Sequence, residues 1–306
     1  MILNRNPQGI FAQLMAIGIV ALFAIPLLGA SSGELVGAHA PVGAAMLVGA
    51  FVFGICMQIL LGCGSGTLVN AGSGNGIAVV ALPFFALGSF LGAFHLDWWT
   101  GIYSFDTVVL SGNSGLAMTL AGLICVALIV VTFADKSQLR VPKRLWIAAL
   151  LVSGLAVLHL VTAGQPWGVV YGLGLWVAKA TSYFGADLSG SVFWTADAHQ
   201  TRIKETLFTD VTSLTNIGLI AGAAFFTWTQ AGFTAVTRPI SARVWLVIML
   251  TGFLMGYSAR LAFGCNVGAF FSGISTGSLH GWAWFAMAFV GAWCGIKMRK
   301  KLGLED

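Results

Sequence analysis

Cys63 and Cys265 are the residues of this chain best placed to do chemistry. Each opens a glycine-rich polar loop directly after a long apolar run: Gly62-Cys63-Gly64-Ser65-Gly66-Thr67-Leu68, and Gly264-Cys265-Asn266-Val267-Gly268. A thiol in apolar surroundings keeps its proton and is then a soft, weak S–H donor. Such a donor suits an anion that presents sulfur; an anion offering only hard oxygens gains less from it. In lipid, backbone groups leave helical pairing only where they line a cavity or lie inside protein. Each loop is therefore expected to be a break followed by a short helix, with unpaired N–H groups and a positive dipole end facing the gap. Two such ends facing each other make an anion site near the bilayer midplane. The expected pathway residues are Cys63, Gly64, Ser65, Gly66 and Thr67 of the first loop and Cys265, Asn266 and Gly268 of the second. Cys56, two turns before Cys63 on a similar helix face, joins them. Arg260, five residues before Cys265, either snorkels to the interface or faces the path and attracts the anion. Lys179 has the same two readings. Cys125 and Cys294 sit mid-helix without polar neighbours and read as small hydrophobes.

The two loops belong to a repeated unit. Eight residues separate Gly54 from Cys63, and eight separate Gly256 from Cys265. In both, a glycine precedes the cysteine and another follows three residues later. The pair Gly88/Gly92 answers to Gly291/Gly295. Two copies this far apart point to a duplicated membrane protein.

Composition names the solvent. Of 306 residues, 58% are hydrophobic and 8% charged, with mean hydropathy +0.91. So few charges cannot cover a water-soluble surface, so the fold class is an all-α integral membrane protein. A net charge of +5, spread over loops, argues against nucleic-acid binding. No CxxC pair occurs among the five cysteines, which argues against a disulfide framework or a zinc site. No hydrolase, metalloprotease or nucleotide-binding motif appears. The expectation is a protein that is not an enzyme and needs no cofactor or metal.

Positioning the loops requires about eight transmembrane helices plus broken or re-entrant half-helices. The apolar runs are 10–29, 42–61, 76–94, 115–133, 145–161, 211–228, 243–262 and 281–296. The run 167–184 is glycine-rich, carries Lys179 and is read as not spanning. The basic residues Lys136, Arg140, Lys143 and Arg144, and the run Lys297 to Lys301, place both segments in the cytoplasm. Four spans before Lys136 put the N-terminus inside as well. An even number of crossings must then separate Arg144 from Lys297, which leaves Arg238 and Arg243 inside. Arg202 and Lys204 fall outside, where they can serve an incoming anion. On this count 42–61 and 243–262 run in opposite senses, an inverted repeat. Residues 1–134 form a first repeat and 145–306 a second, within one membrane domain. His95, His159 and His280 read as structural hydrogen-bonders.

With these residues laid out, the chain resembles the YeeE/YedE family of bacterial sulfur-compound transporters. The matching pieces are the first cysteine loop with Asn70-Ala71-Gly72, the run Gln165-Pro166-Trp167-Gly168 with Tyr171-Gly172, and residues 256–273 around Arg260 and Cys265. The resemblance implies uptake of thiosulfate, or a related reduced sulfur anion, across the bacterial inner membrane. It also implies pore cysteines, here Cys63 and Cys265, that pass the anion along through S–H···S contacts. A cytoplasmic TusA-like sulfur-carrier protein is the implied partner. The resemblance further implies an hourglass-like fold of inverted repeats. Members usually carry an earlier cysteine-bearing segment ahead of a stretch like Leu3-Asn4-Arg5-Asn6-Pro7, where this sequence begins, so either the start is misplaced or the first repeat is truncated. Two alternatives stay open: a selenium-compound transporter, and a membrane sulfur-transferase subunit carrying a cysteine persulfide.

Overall fold

Glycine decides where these helices can meet, because a β-carbon at several crossings would strike a neighbouring backbone. The computed structural model describes residues 6–230, 241–302 and 304. Arg5 and Arg238 lie outside the described residues. All regular structure among the described residues is helical. In order it comprises α1 (Gln8–Ala30), α2 (Ala44–Leu60), α3 (Gly64–Gly72), α4 (Gly76–Phe94), α5 (Leu96–Ile102), α6 (Gly112–Phe133) and α7 (Lys143–Ala163). There follow α8 (Val169–Tyr183), α9 (Val192–Thr195), α10 (Asp197–Lys204), α11 (Val211–Gln230) and α12 (Ala242–Leu261). A π-helix (Asn266–Ser272), α13 (Gly273–Ser275) and α14 (Leu279–Lys301) complete the chain.

Among the described residues, eight segments are long and apolar enough to cross a membrane, at the places where the hydropathy pattern puts them. Two of them, Ala44–Gly72 and Ala242–Ser275, contain the cysteine loops. At 15 residues, α8 is roughly 22 Å long at 1.5 Å per residue, too short for a hydrocarbon layer of about 30 Å. It is the segment that the charge count required not to span.

The chain forms two compact units, each assembled from separated stretches. One holds Met1–Pro41, Asp106–Trp167 and Ala269–Trp282; the other holds Val42–Phe105, Gly168–Gly268 and Ala283–Asp306. In the first, α1 packs against α6 and α7. Val20, Ala24 and Leu160 form its small core, and the Ser153 hydroxyl donates to the Ala16 carbonyl at 3.2 Å. Gln8 Nε2 donates to the Arg140 carbonyl at 3.1 Å, which sets the start of α1 beside the basic segment. A small cavity of about 20 Å³ lies between Leu160, Trp167 and Phe271.

In the second unit, α4 crosses α12 almost backbone to backbone. A β-carbon on Gly88 would fall 2.0 Å from the Phe253 carbonyl oxygen, and one on Gly256 would fall 2.0 Å from that of Phe85. The contacts advance together from Ala81 with Gly252 to Gly92 with Tyr257, so the two helices run parallel. The crossing of α2 with α14 has the same form. There a β-carbon on Gly54 would lie 2.2 Å from the Ala288 oxygen, and one on Gly291 2.0 Å from that of Phe51. Shifts of 202 (Gly54 to Gly256) and 203 (Phe85 to Ala288) carry one crossing onto the other. Without a hydrophobic drive between helices in lipid, such close van der Waals contact is what holds them. Arg299 Nη1 donates to the Ile59 carbonyl at 2.9 Å, so α2 and α14 end on the same side.

Candidate functional site: two cysteine loops that meet

Both broken helices reverse in the same way. At the end of α2, Leu61 takes φ 53° and the Gly62 N–H reaches back to the Met57 carbonyl at 3.2 Å. At the end of α12, Phe263 takes φ 57° and the Gly264 N–H reaches the Ala259 carbonyl at 2.8 Å. A left-handed residue other than glycine costs about 1–2 kcal/mol. The same strained left-handed conformation therefore sits two positions before each cysteine, at Leu61 and Phe263.

The cysteines then start the returning helices. Cys63 caps α3: its Sγ accepts the Gly66 N–H at 3.4 Å and meets the Ser65 hydroxyl at 3.4 Å. The Thr67 hydroxyl donates to the Cys63 carbonyl at 2.8 Å. Cys265 is fully buried, and the backbone amides of Gly268 and Val267 lie near its sulfur, with that of Ser65 from the other loop. A β-carbon on Gly64 would lie 3.0 Å from Cys265 Sγ. The structure therefore brings Cys63, Gly64, Ser65, Cys265, Val267 and Gly268 together. Asn266 lies beside them, with its Oδ1 buried and without a hydrogen-bond partner among the described residues. Gly66 stands over Cys63, where a β-carbon would be 3.6 Å from the sulfur.

The second returning helix differs from the first in one respect that the sequence pattern did not announce. It opens as a π-helix where α3 is α-helical. From Gly64 to Gly76, the first residues of α3 and α4, is 12 positions; from Asn266 to Leu279 is 13. The wider π turns absorb that one extra residue, and Gly74 and Gly277 then close both segments at φ 82°.

The remaining candidates fall elsewhere. Cys56 is buried within α2, Cys125 is exposed on α6 and Cys294 is half-buried on α14. Arg260 lies against aromatic rings, its guanidinium 4.2 Å from the centre of Phe193 and 5.6 Å from that of Tyr171. Lys179 is structural, donating from Nζ to the carbonyls of Arg202, Ile203 and Glu205 at the end of α10. Two of the histidines read as hydrogen-bonders have such contacts, His280 Nδ1 with the Ser278 hydroxyl at 2.7 Å and His95 Nδ1 with the Tyr257 hydroxyl at 3.1 Å, whereas His159 stands edge-on to the Trp167 ring.

Sequence reasoning missed the polar cluster beside Arg260. Tyr171 Oη and His199 Nδ1 are 3.0 Å apart, Arg202 lies 5.5 Å over the Tyr171 ring, and Arg202 pairs with Asp210 at 3.8 Å. Burial, then Arg260 and Arg202, push His199 down to about 4. Burial raises the Asp210 carboxyl, but hydrogen bonds from Thr212 and Ser213 and the charge of Arg202 hold it below its usual range. The sequence marks Arg202 and Arg260 singly as residues that could serve an anion, but nothing in it joins them to each other or to Tyr171 and His199.

Eight spans, two of them broken at facing cysteine loops, define a multi-pass membrane protein of the solute-transporter kind. The family model described as Sulphur transport matches residues 1–294, and the chain belongs to that family. It is 26% identical over 271 residues to the thiosulfate transporter TsuA of Spirochaeta thermophila, covering 81% of this chain and 75% of that protein. Over a shorter stretch of 49 residues it is 43% identical to the probable transporter YedE of Escherichia coli, 16% of this chain and 12% of that one.

Proposed function

We propose that this protein takes up thiosulfate, or a closely related reduced sulfur anion, across a bacterial inner membrane by way of Cys63 and Cys265. The observation that carries the reading is the meeting of the two cysteine loops, with Gly64 of the first pressed against the Cys265 thiol of the second. An anion entering such a site exchanges water for backbone donors at the ends of two broken helices. Its terminal sulfur accepts from a soft S–H group, and the second thiol takes it over from the first. Ser65, Thr67 and Asn266 supply further polar contacts, and glycine at 64, 66 and 268 lets the backbone approach. Cys56 is assigned to the approach on the α2 side. The basic segments support cytoplasmic termini, and with that orientation the two cysteine units run in opposite senses as an inverted repeat. A cytoplasmic TusA-like carrier is a fitting acceptor for the delivered sulfur.

Labelled-thiosulfate uptake by cells carrying Cys63→Ser or Cys265→Ser tests this. Serine keeps the shape and removes the soft donor, so each variant should lose most of the uptake while remaining at wild-type level in the membrane. Unchanged rates in both would remove the thiols from the mechanism.

A further inference from the structure

Arg260 brings a full positive charge into a membrane span, and among the described residues no carboxylate pairs with it. Its Nε is buried and has no hydrogen-bond partner there. The nearby carboxylate, Asp210, already faces Arg202 at 3.8 Å. Two guanidiniums thus share one tyrosine ring, Arg202 at 5.5 Å and Arg260 at 5.6 Å from its centre. Contact with aromatic faces contributes about 2 kcal/mol when desolvated, while taking an ion out of water costs several kcal/mol. The shortfall is what a bound anion would remove.

We propose that Arg260, with Arg202, His199 and the Tyr171 hydroxyl, forms an anion-capture station that is separate from the thiols and selects divalent sulfur oxyanions by charge. A guanidinium presents its N–H groups as a planar fork that matches two oxygens of one anion. Thiosulfate and sulfate show that oxygen face alike, so both bind here, and discrimination is left to the thiols. The station rests on the uptake reading for its place on a path, but not for its existence. His199 adds a proton link. The charged or titratable groups around it are Tyr171, Arg202, Arg260, Asp210 and Glu205. Held neutral by burial and by the two arginines, it takes up a proton more readily once an anion offsets their charge, so binding tightens on acidification.

The test is calorimetric titration of the purified full chain in lipid nanodiscs with sodium thiosulfate and with sodium sulfate. Arg260→Gln should weaken both by about tenfold or more, the loss of one charge-assisted contact. The Cys63→Ser/Cys265→Ser variant should keep its sulfate affinity. Sulfate affinity of the unaltered protein should rise as pH falls from about 7 to about 5, and His199→Gln should abolish that rise. Equal sulfate affinity in the unaltered protein and Arg260→Gln would overturn the station. If Arg260→Gln does not fold, the His199 ring resonance of the isotope-labelled unaltered protein decides: it should move on adding sulfate, and an unmoved resonance overturns the proposal. Thiol variants that transport normally but still bind sulfate would sink the uptake reading and leave the station standing.

Discussion

Gly64, the first residue of one broken helix, packs directly against Sγ of Cys265, which opens the other. This cross-loop contact makes the two halves of the site one object. It is possible because Gly64 has no side chain: a β-carbon there would stand 3.0 Å from that sulfur and 3.1 Å from the Cys265 β-carbon.

Gly64→Ala therefore forces Cys265 or the α3 backbone to shift. The expected cost is about 1–3 kcal/mol of overpacking, and thiosulfate uptake should fall by tenfold or so. Uptake assayed alongside membrane abundance separates the displaced site from a misfolded chain.

The helix crossings make a sharper stability prediction. Gly54→Ala and Gly256→Ala each place a methyl about 2 Å from a carbonyl oxygen, of Ala288 and of Phe85, so backbones must part. Both should lower the melting temperature in detergent markedly, and by similar amounts, because the crossings are equivalent. Gly154→Ala, with nothing within 4 Å, should raise it slightly, since alanine is favoured over glycine in a helix by about 1 kcal/mol.

Lys179→Met removes the donor to three carbonyls at the end of α10. Unsatisfied partners of this kind cost about 1–3 kcal/mol, so a thermal scan should show a clear drop. Lys179→Arg, which keeps donors at that end, should restore part of it.

Acid should weaken the fold in two windows. His199 has its native value near 4 against an ordinary 6.5, so the unfolded chain takes its proton first. The stability linked to it is whole above about 6.5 and drains away as pH falls to about 4. Asp210, held below its ordinary 3.8, gives way only further down. Melting temperature plotted against pH should fall across the upper window, and His199→Gln should flatten that fall.

Much of this was legible in the sequence because lipid imposes a simple code. Apolar runs gave the eight segments that are long and apolar enough to cross a membrane among the described residues, and a repeated Gly-Cys-x-x-Gly spacing marked both breaks. The short α8 was legible from charge placement. Other features were not, for physical reasons. The π turns after Cys265 answer a one-residue difference in spacing that only a comparison of the two returning helices exposes. The seat of Arg260 against Phe193 joins residues 67 positions apart, on elements whose pairing no local periodicity specifies. Lys179 looked like a candidate in the path because a charge in an apolar run is conspicuous, whereas the carbonyls it caps lie on another helix.

The central claim is that two thiols share one passage for a sulfur anion, and it can be tested on a chain in which Cys56, Cys125 and Cys294 are replaced by alanine. Proteoliposomes of that variant are treated with dibromobimane, which fluoresces when it bridges two thiols, and thiosulfate flux is then recorded. The prediction is a fluorescent Cys63–Cys265 bridge, slower to form when thiosulfate is present, and loss of flux once it has formed. Failure to bridge, or a bridged protein that carries thiosulfate at the untreated rate, would contradict the account.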